Sequence, residues 1–217
     1  MVLLTSNIMK HYIDSKSSDY QESFVLNMLD EKYNGFYVEV GSGKPIFENN
    51  TYLLESQFNW SGVGIDLNEN NVYEYKKIRK NPCLNSDAID FNYEEYFKAN
   101  NFPNQIDFLQ IDIDESNKNN MMKDLDKYSG NGNLLALINI PLTRYRFSVI
   151  IFEHEVIKNY KNKYVRDAQR EILSGLDYFL MGQTHSEDWW VDPKAIDLDD
   201  NKNKNQYLFT GNPIFRS

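Results

Sequence analysis

The chain has 217 residues, and its 32 acidic against 23 basic side chains give a formal net charge of −9 at pH 7. A protein that holds nucleic acid neutralises phosphates with clustered Lys and Arg, so this charge argues against a nucleic-acid partner. The most basic run, YKKIRK at 75–80, falls on a predicted helix, and we interpret it as a solvated face. A small polar or carbohydrate-like substrate fits the charge better.

Length and composition favour one globular domain over residues 1–217, with a loose segment at 1–18 and an irregular tail at 198–217. The lone Cys83 permits no intrachain disulfide and suggests no thiolate metal site. Asp112, Asp114 and Glu153 could in principle bind a metal ion, but carboxylates at strand ends are too common to predict one, so no metal is assigned. The start MVLLTSNIMKHYID lacks the basic n-region and long apolar core of a signal peptide. No apolar stretch approaches the ~20 residues of a membrane span, so we expect a cytoplasmic protein with no membrane partner.

Hydrophobic periodicity and turn residues predict alternating helices and strands. A first helix is expected over Asp19–Lys32, capped by Ser18 and stopped by Gly35. Strands are then predicted at Phe36–Val40, Gly62–Asp66, Leu84–Asp87, Ile106–Asp114 and Arg146–Glu153. Helices are predicted at Thr51–Phe58 after an Asn50 cap, from Asn68 onward, at Asn92–Asn100, in parts of Ser116–Leu142 and at Tyr164–Leu173. Two last segments, Tyr178–Gln183 and Asp188–Asp192, are expected to form an antiparallel pair.

This alternation predicts an α/β, doubly wound, Rossmann-like fold with a mostly parallel sheet. In such sheets ligands bind beyond the carboxyl ends of the strands. Acidic residues end or follow every predicted strand of the parallel part: Glu39, Asp66, Asp87, Asp112 and Glu153. The candidate site therefore lies at that edge of the sheet.

The first predicted strand runs into the segment EVGSGKP, 39–45, whose glycines allow a sharp turn and a close approach of backbone to ligand. The dinucleotide fingerprint G-x-G-x-x-G fails, because Pro45 and Ile46 occupy its last two positions. An acidic residue two positions before the first glycine is instead typical of enzymes that use S-adenosylmethionine. We therefore expect S-adenosylmethionine as the cofactor.

Two further strand ends fit the same cofactor. Asp66 can accept both ribose hydroxyls, and the alternative is that it caps the following helix, a role that Asn68 also fits. Asp87 and Ala88 offer one polar group and one small residue to an adenine ring, an assignment that the residues alone leave open.

Several motifs together resemble one family. The run GFYVEVGSGKPIFENNTYLLESQFNWSGVGIDLN resembles the opening of FkbM-type methyltransferases, with its G-x-[FY]-[VI]-[DE]-[VI]-G, NT, LE and W-x-G-[VI]-x-[IV]-[DE] motifs in order. Upstream, YQESFVLNMLDEKYNG is similar to the family's first helix. Downstream, IDFLQIDID, YRFSVIIFEHE and RDAQREILSGLDYFLM with EDWWVDP resemble later parts. The resemblance extends over roughly Tyr20 to Pro193 and implies a class I methyltransferase fold.

The resemblance also implies residue roles. Glu39, Gly41 and Gly43 would surround the methionine part of the cofactor, with Asn50 and Thr51 at the helix start below it. Asp66 would bind the ribose and Asp87 would lie near adenine. The remaining expected cofactor contacts are neighbours of these residues or follow the fourth predicted strand: Ser42, Leu67, Ala88 and Asp112.

Two positions depart from the family pattern. Pro45 replaces the third glycine of the general methyltransferase motif. The family's D-[VI]-[DE]-G-x-E continues here as Asp112-Ile-Asp114-Glu115-Ser116, without the glycine. The geometry after the fourth predicted strand is therefore left open, as is any role for Asp114.

Asp112 and His154 are the candidate catalytic residues. Methyl transfer is an in-line displacement that needs positioning and sometimes a general base. His154 directly follows the fifth predicted strand and is a candidate base, with a structural role as the alternative, whereas His11 and His185 are expected at the surface. Asp112 would orient the cofactor's amino group and the acceptor.

The sequence thus predicts a methyltransferase that acts on a hydroxyl of a sugar or another small metabolite. A non-catalytic methyltransferase-like module that binds the cofactor or a partner is the alternative, favoured only by the missing glycine after Asp114. A nicotinamide-dependent dehydrogenase is disfavoured by the failed G-x-G-x-x-G fingerprint. The sequence gives no oligomeric state.

Overall fold

A single mixed sheet forms the centre of the computed structural model, which describes residues 14–17, 20–113, 131–157 and 160–198. Within these ranges the strand order is β3-β2-β1-β4-β5-β7-β6. The strands are β1 Phe36–Val40, β2 Ser61–Asp66, β3 Cys83–Asn85, β4 Gln105–Ile111, β5 Arg146–Glu153, β6 Phe179–Gln183 and β7 Glu187–Val191. The first five run parallel, β7 is antiparallel to β5, and β6 is antiparallel to β7. The predicted fold class, including its antiparallel closing pair, is confirmed.

One helix precedes the first strand, and the other helices of the described ranges follow or connect strands. They are α1 Gln21–Met28, α2 Tyr52–Phe58, α3 Glu69–Ile78, α4 Tyr93–Ala99, α5 Gly132–Asn139 and α6 Lys163–Gly175, with a short 3-10 helix at Tyr160–Asn162 before α6. Asn68 opens α3 as predicted, since its side chain accepts a hydrogen bond from the backbone N–H of Asn70.

Some predicted boundaries were wrong, and each has a local cause. The first helix ends at Met28 rather than Lys32, because Asp30 and Glu31 adopt left-handed φ values of 50° and 55°. Thr51, and not Asn50, occupies the N-cap position of α2, without a side-chain cap. β3 ends at Asn85, two residues before the predicted end.

Parts of other predictions lie outside the described residues. These are the Ser18 cap, Asp114, the segment from Ser116 to residue 130, and the terminal segments apart from 14–17 and Leu198.

Side chains alternate between two apolar layers, as the twofold period of a strand requires. Val38 and Val40 of β1 belong to the layer that packs against α4, α5 and α6. Tyr37 belongs to the layer against α1 and α2, so Glu39 shares that second face. Trp189 and Trp190 of β7 are core residues, since they are 0 % and 1 % exposed.

The strand order fixes where a ligand can enter. From β1 the chain continues to β2 and β3 on one side, whereas β4 and β5 lie on the other. The order therefore reverses between β1 and β4. In doubly wound sheets the crevice beyond the carboxyl ends of such a strand pair is the ligand-binding position.

Candidate functional site

A tight turn at Gly41 joins three strand ends in this crevice. The backbone N–H of Gly41 donates to the Ile65 carbonyl over 2.9 Å, and that of Asp112 donates to the Val40 carbonyl over 2.9 Å. Gly41 has φ +80°, and a Cβ on it would lie 1.9 Å from the Asp112 carbonyl oxygen. Gly41 therefore lets β4 approach β1, and its expected contact with the cofactor stays a prediction.

Gly43 lies on the open side of the turn, where no atom of the described residues covers it. Its φ is +57°, and a Cβ there would meet no atom within 4 Å. Its backbone N–H donates to Oδ2 of Asp66 over 2.7 Å. The structure thus brings together two of the predicted cofactor residues, with free space above Gly43 for a ligand.

Asp66 serves the loop and the next helix at once. Besides Gly43, its carboxylate accepts from the backbone N–H of Asn68 over 2.7 Å and from the Asn71 side chain over 3.3 Å. Asp66 thus holds the residues at the start of α3, but the cap itself is Asn68 and not Asp66. A carboxylate has about four acceptor positions, so a ribose hydroxyl has one position left, and a second becomes free if the long Asn71 contact is released.

Glu39 lies beneath the loop rather than at its open side. It is 1 % exposed, and its carboxylate accepts from Tyr75 Oη over 2.8 Å and Thr51 Oγ1 over 3.0 Å. It also accepts from the Asn49 side chain and the Asn50 backbone, each over 3.3 Å. Burial raises the pKa of Glu39, against the opposing effects of Arg79 and the hydroxyl donors. In the described structure Glu39 therefore supports the loop together with Asn50 and Thr51, and the expected contacts of these residues with the cofactor stay predictions.

Arg79 corrects the interpretation of YKKIRK as a solvated face. Lys76 and Lys77 are exposed as predicted, but the Arg79 side chain is 1 % exposed. Its acceptors are Glu55 Oε2 at 2.9 Å, the Pro45 carbonyl at 3.0 Å, Asn49 Oδ1 at 2.9 Å, Tyr37 Oη at 3.2 Å and Thr51 Oγ1 at 2.9 Å. The sequence held a signal for this burial, because Val72, Tyr75 and Arg79 follow the i, i+3, i+7 spacing of one helical face.

The other predicted cofactor residues are spread around this turn. Ser42 is buried, and its hydroxyl donates to the Glu39 carbonyl over 3.2 Å. Leu67 is 57 % exposed at the end of β2 and offers an apolar surface. Asp87 is half-buried and accepts from the Ile89 backbone N–H over 2.9 Å, which starts the turn that shortens β3. Ala88 is buried and belongs to the apolar layer.

Asn133, which the sequence did not single out, joins the ends of β4 and β5. It is 8 % exposed at the start of α5. Its Oδ1 accepts from the Ile113 backbone N–H over 2.7 Å, and its Nδ2 donates to the Glu153 carbonyl over 2.9 Å. Asp112 lies between these ends and the Gly41 turn. Asn133 therefore fixes the backbone on both sides of the expected acceptor position.

The buried His154 and Asp188 lie beside the partly exposed Arg170, and we call these three residues the edge cluster. The imidazole is 3 % exposed; its Nδ1 accepts from the Val156 backbone N–H over 3.3 Å, and its Nε2 lies 3.6 Å from Asp188 Oδ1. Arg170 donates to both Asp188 oxygens over 2.7 Å. Burial alone raises the pKa of Asp188, but Arg170 and His154 hold it below its usual value.

No helix in the described ranges has the length and apolar character needed to cross a bilayer. Likewise, no three His, Cys, Asp or Glu side chains in the described part of the chain are arranged to hold a metal ion.

No protein-family model and no curated protein sequence matches the chain. A human methyltransferase 10 domain-containing protein is structurally similar, with a TM-score of 0.48 and 7 % identity over 78 % of each chain. A TehB-like SAM-dependent methyltransferase from Corynebacterium glutamicum has a TM-score of 0.48 and 12 % identity, covering 80 % of this chain and 88 % of that one. A SAM-dependent methyltransferase from Archaeoglobus fulgidus has a TM-score of 0.39 and 16 % identity, covering 73 % of this chain and 69 % of that one. The FkbM resemblance stays a prediction from sequence.

Proposed function

We propose that the chain is a methyltransferase that binds S-adenosylmethionine beyond β1 and β4 and methylates a hydroxyl of a sugar or another small metabolite. The observation that carries the proposal is the glycine turn at the point where the strand order reverses. Its Gly43 side is open, and Asp66 lies directly beside it. The motif order along the chain supports the same cofactor.

The residues around the turn fit the parts of this cofactor. Gly43 lets a ligand approach the backbone closely, since a Cβ there would occupy the open space. Asp66 would accept a ribose hydroxyl at its remaining position, and the exposed Leu67 would lie against the adenine, with Asp87 near it. Asp112 would orient the amino group and the acceptor. When bound, S-adenosylmethionine supplies an electrophilic methyl group.

His154 remains the proposed general base, and its contacts define how it would act. Because Nε2 faces Asp188, Nδ1 is the nitrogen available to take a proton from the acceptor hydroxyl. Val156 must first withdraw its N–H from Nδ1, so the proposal requires the segment 155–157 to move when the acceptor binds. The alternative, a histidine with a structural role only, predicts full turnover by His154→Ala.

Titration calorimetry with S-adenosylhomocysteine tests the cofactor site. Asp66→Asn removes the charge that a ribose hydroxyl would meet, and a charged hydrogen bond is worth about 1.5–3 kcal/mol, so we expect affinity to fall at least about tenfold. The matched control is Asn68→Ala, which removes the cap of α3 but leaves Asp66 in place, and should cost stability without weakening binding. Equal affinity of Asp66→Asn and wild type would refute the ribose assignment.

Two further measurements separate the alternatives. Binding of NAD in place of S-adenosylhomocysteine would favour a dehydrogenase. Transfer of a labelled methyl group to a panel of sugars and small alcohols is expected for the proposed enzyme. Tight binding of S-adenosylmethionine with no transfer to any acceptor would favour the non-catalytic module.

A further inference from the structure

The loop between β1 and α2, residues 41–51, is held by contacts from outside it. The Gly43 N–H donates to Asp66, the Pro45 carbonyl accepts from Arg79, and the Glu48 N–H donates to the Lys16 carbonyl over 2.9 Å. Asp66 ends β2, and Arg79 is the C-cap residue of α3. Two of these contacts therefore come from the two ends of α3, from Asp66 shortly before its first residue and from Arg79 at its C-cap.

Arg79 makes the most extensive of these contacts. A guanidinium has five N–H donors, and each of the five has an acceptor here. Three acceptors lie on the loop, one on α2 and one on β1, and the guanidinium carbon also lies 4.5 Å from the centre of the Tyr75 ring. The planar fork thus joins a strand, a helix and the loop through one buried group.

The surrounding charges explain why an arginine is needed at this position. Glu39 and Glu55 are both buried, and Arg79 is the cation beside them in the described structure. A lysine would keep the positive charge but has three donors in a different geometry, so it cannot reproduce bonds to five acceptors on three elements. The variant Arg79→Lys therefore separates the effect of the guanidinium geometry from the effect of the positive charge.

We propose that Arg79 is the positioning residue of the cofactor loop. It acts through Pro45, Asn49 and Thr51, which it fixes against α2 and β1, so that the open side of Gly43 faces the crevice. Arg79 itself lies beneath the loop and touches no reacting group. The inference rests on the proposed function for the identity of the ligand, but the anchoring of the loop is a property of the protein alone.

Hydrogen–deuterium exchange of residues 43–51, measured without cofactor, tests the anchor. In Arg79→Lys we expect exchange in this segment at least tenfold faster than in wild type. The matched control is Asn81→Ala, because the Asn81 amide donates to Tyr37 Oη, Glu55 Oε2 and the Trp60 carbonyl but not to the loop. This variant should melt at a lower temperature while exchange in 43–51 stays at the wild-type rate.

Calorimetry on the same proteins then links the anchor to the ligand. Arg79→Lys should bind S-adenosylhomocysteine at least tenfold more weakly, whereas Asn81→Ala should bind it as wild type does. If both variants show the same exchange in 43–51, Arg79 has only a structural role and the inference is overturned. If wild type fails to bind the ligand while exchange responds as expected, the anchor is supported and the proposed function is overturned.

A second variant keeps the test decisive if Arg79→Lys does not fold. Glu55→Gln leaves the guanidinium in place but weakens its hold on α2. Exchange in 43–51 should then rise above that of Asn81→Ala. Exchange equal to that of Asn81→Ala would again overturn the inference.

Discussion

Two clusters of an arginine with buried carboxyl groups lie on opposite faces of the sheet, and they differ in the partners of the arginine. Beneath the loop, Arg79 donates to Glu55 and to neutral acceptors, and Glu39 receives its hydrogen bonds from hydroxyls and amides. In the edge cluster, Arg170 donates with two nitrogens to the single carboxylate of Asp188. The first arrangement ties several elements together, and the second neutralises one charge.

The pKa values of the buried carboxyl groups in the two clusters are shifted in opposite directions. Burial raises the pKa of Glu39 even though Arg79 is near, whereas the pKa of Asp188 stays below its usual value because the arginine bonds to it directly. A cation nearby is therefore weaker compensation for burial than a two-pronged charged hydrogen bond. Buried side-chain atoms without a hydrogen-bond partner occur on both sides in the described structure: Asn50 Oδ1 in the loop, and His154 Nε2 and Gln169 Oε1 at the edge cluster.

We expect the largest loss of stability when the close backbone contact at Gly41, in the loop, is disrupted. Gly41→Ala places a Cβ 1.9 Å from the Asp112 carbonyl oxygen at φ +80°. Strain at positive φ and overpacking together predict a loss of about 4 kcal/mol in urea unfolding. Gly43→Ala is the control, because Gly43 also has a positive φ but a Cβ there meets no other atom. This variant should lose only about 1–2 kcal/mol of unfolding free energy. Equal losses in the two variants would mean that the approach of β4 to Gly41 is not needed for folding.

The edge cluster offers the next largest effect. Asp188→Asn leaves Arg170 without its anionic partner, and breaking a buried pair from one side costs about 3–5 kcal/mol. The Arg170 side chain is 28 % exposed and can turn to water, so we expect about 3 kcal/mol. Asp192→Asn removes the comparable pair with Arg146, which has no histidine beside it, and should lose less.

The pH dependence of that loss has a fixed sign. The native pKa of Asp188 lies below its unfolded value, so the pair stabilises the fold above the unfolded pKa, and this contribution is lost as pH falls through the native pKa. The difference between wild type and Asp188→Asn should therefore shrink below about pH 4. A difference that is constant from pH 7 to pH 3 would contradict a charged Asp188 in the native state.

The sequence predicted the strands well because their apolar runs and glycine turns are local signals. It also placed Gly43, Asp66 and Asp112 at one edge of the sheet, since parallel strands end together. It did not show that Glu39 faces away from the open side of the turn, because twofold alternation assigns a face only once the covering helices are known. Helical spacing indicated that Arg79 lies on the buried face of α3, but not its acceptors Glu55 and Asn49, which are 24 and 30 positions away. Asn133 likewise joins two strands that are distant in the chain.

Glu22 is a third buried carboxyl group, and its hydrogen-bond donors are all neutral. It is 0 % exposed and accepts from the Leu53 N–H over 2.5 Å, the Lys16 N–H over 3.1 Å and the Ser15 hydroxyl over 2.9 Å. Burial raises its pKa to about 7, and the nearby charge of Glu39 adds to the increase.

We therefore expect Glu22 to weaken the fold as pH rises. Its native pKa lies above the unfolded value, so the unfolded chain releases this proton first, and wild-type stability falls between about pH 4.5 and pH 7. Glu22→Gln cannot ionise and lacks this slope, although its amide meets the Lys16 N–H unfavourably. In urea unfolding, the free energy of unfolding of Glu22→Gln minus that of wild type should therefore increase by about 2 kcal/mol from pH 5 to pH 8. Glu48→Gln, an exposed carboxylate paired with Lys44, is the control and should show almost no change. A relative stability of Glu22→Gln that does not change with pH would mean that Glu22 is already ionised at pH 5, so that three neutral donors suffice where Asp188 relies on an arginine.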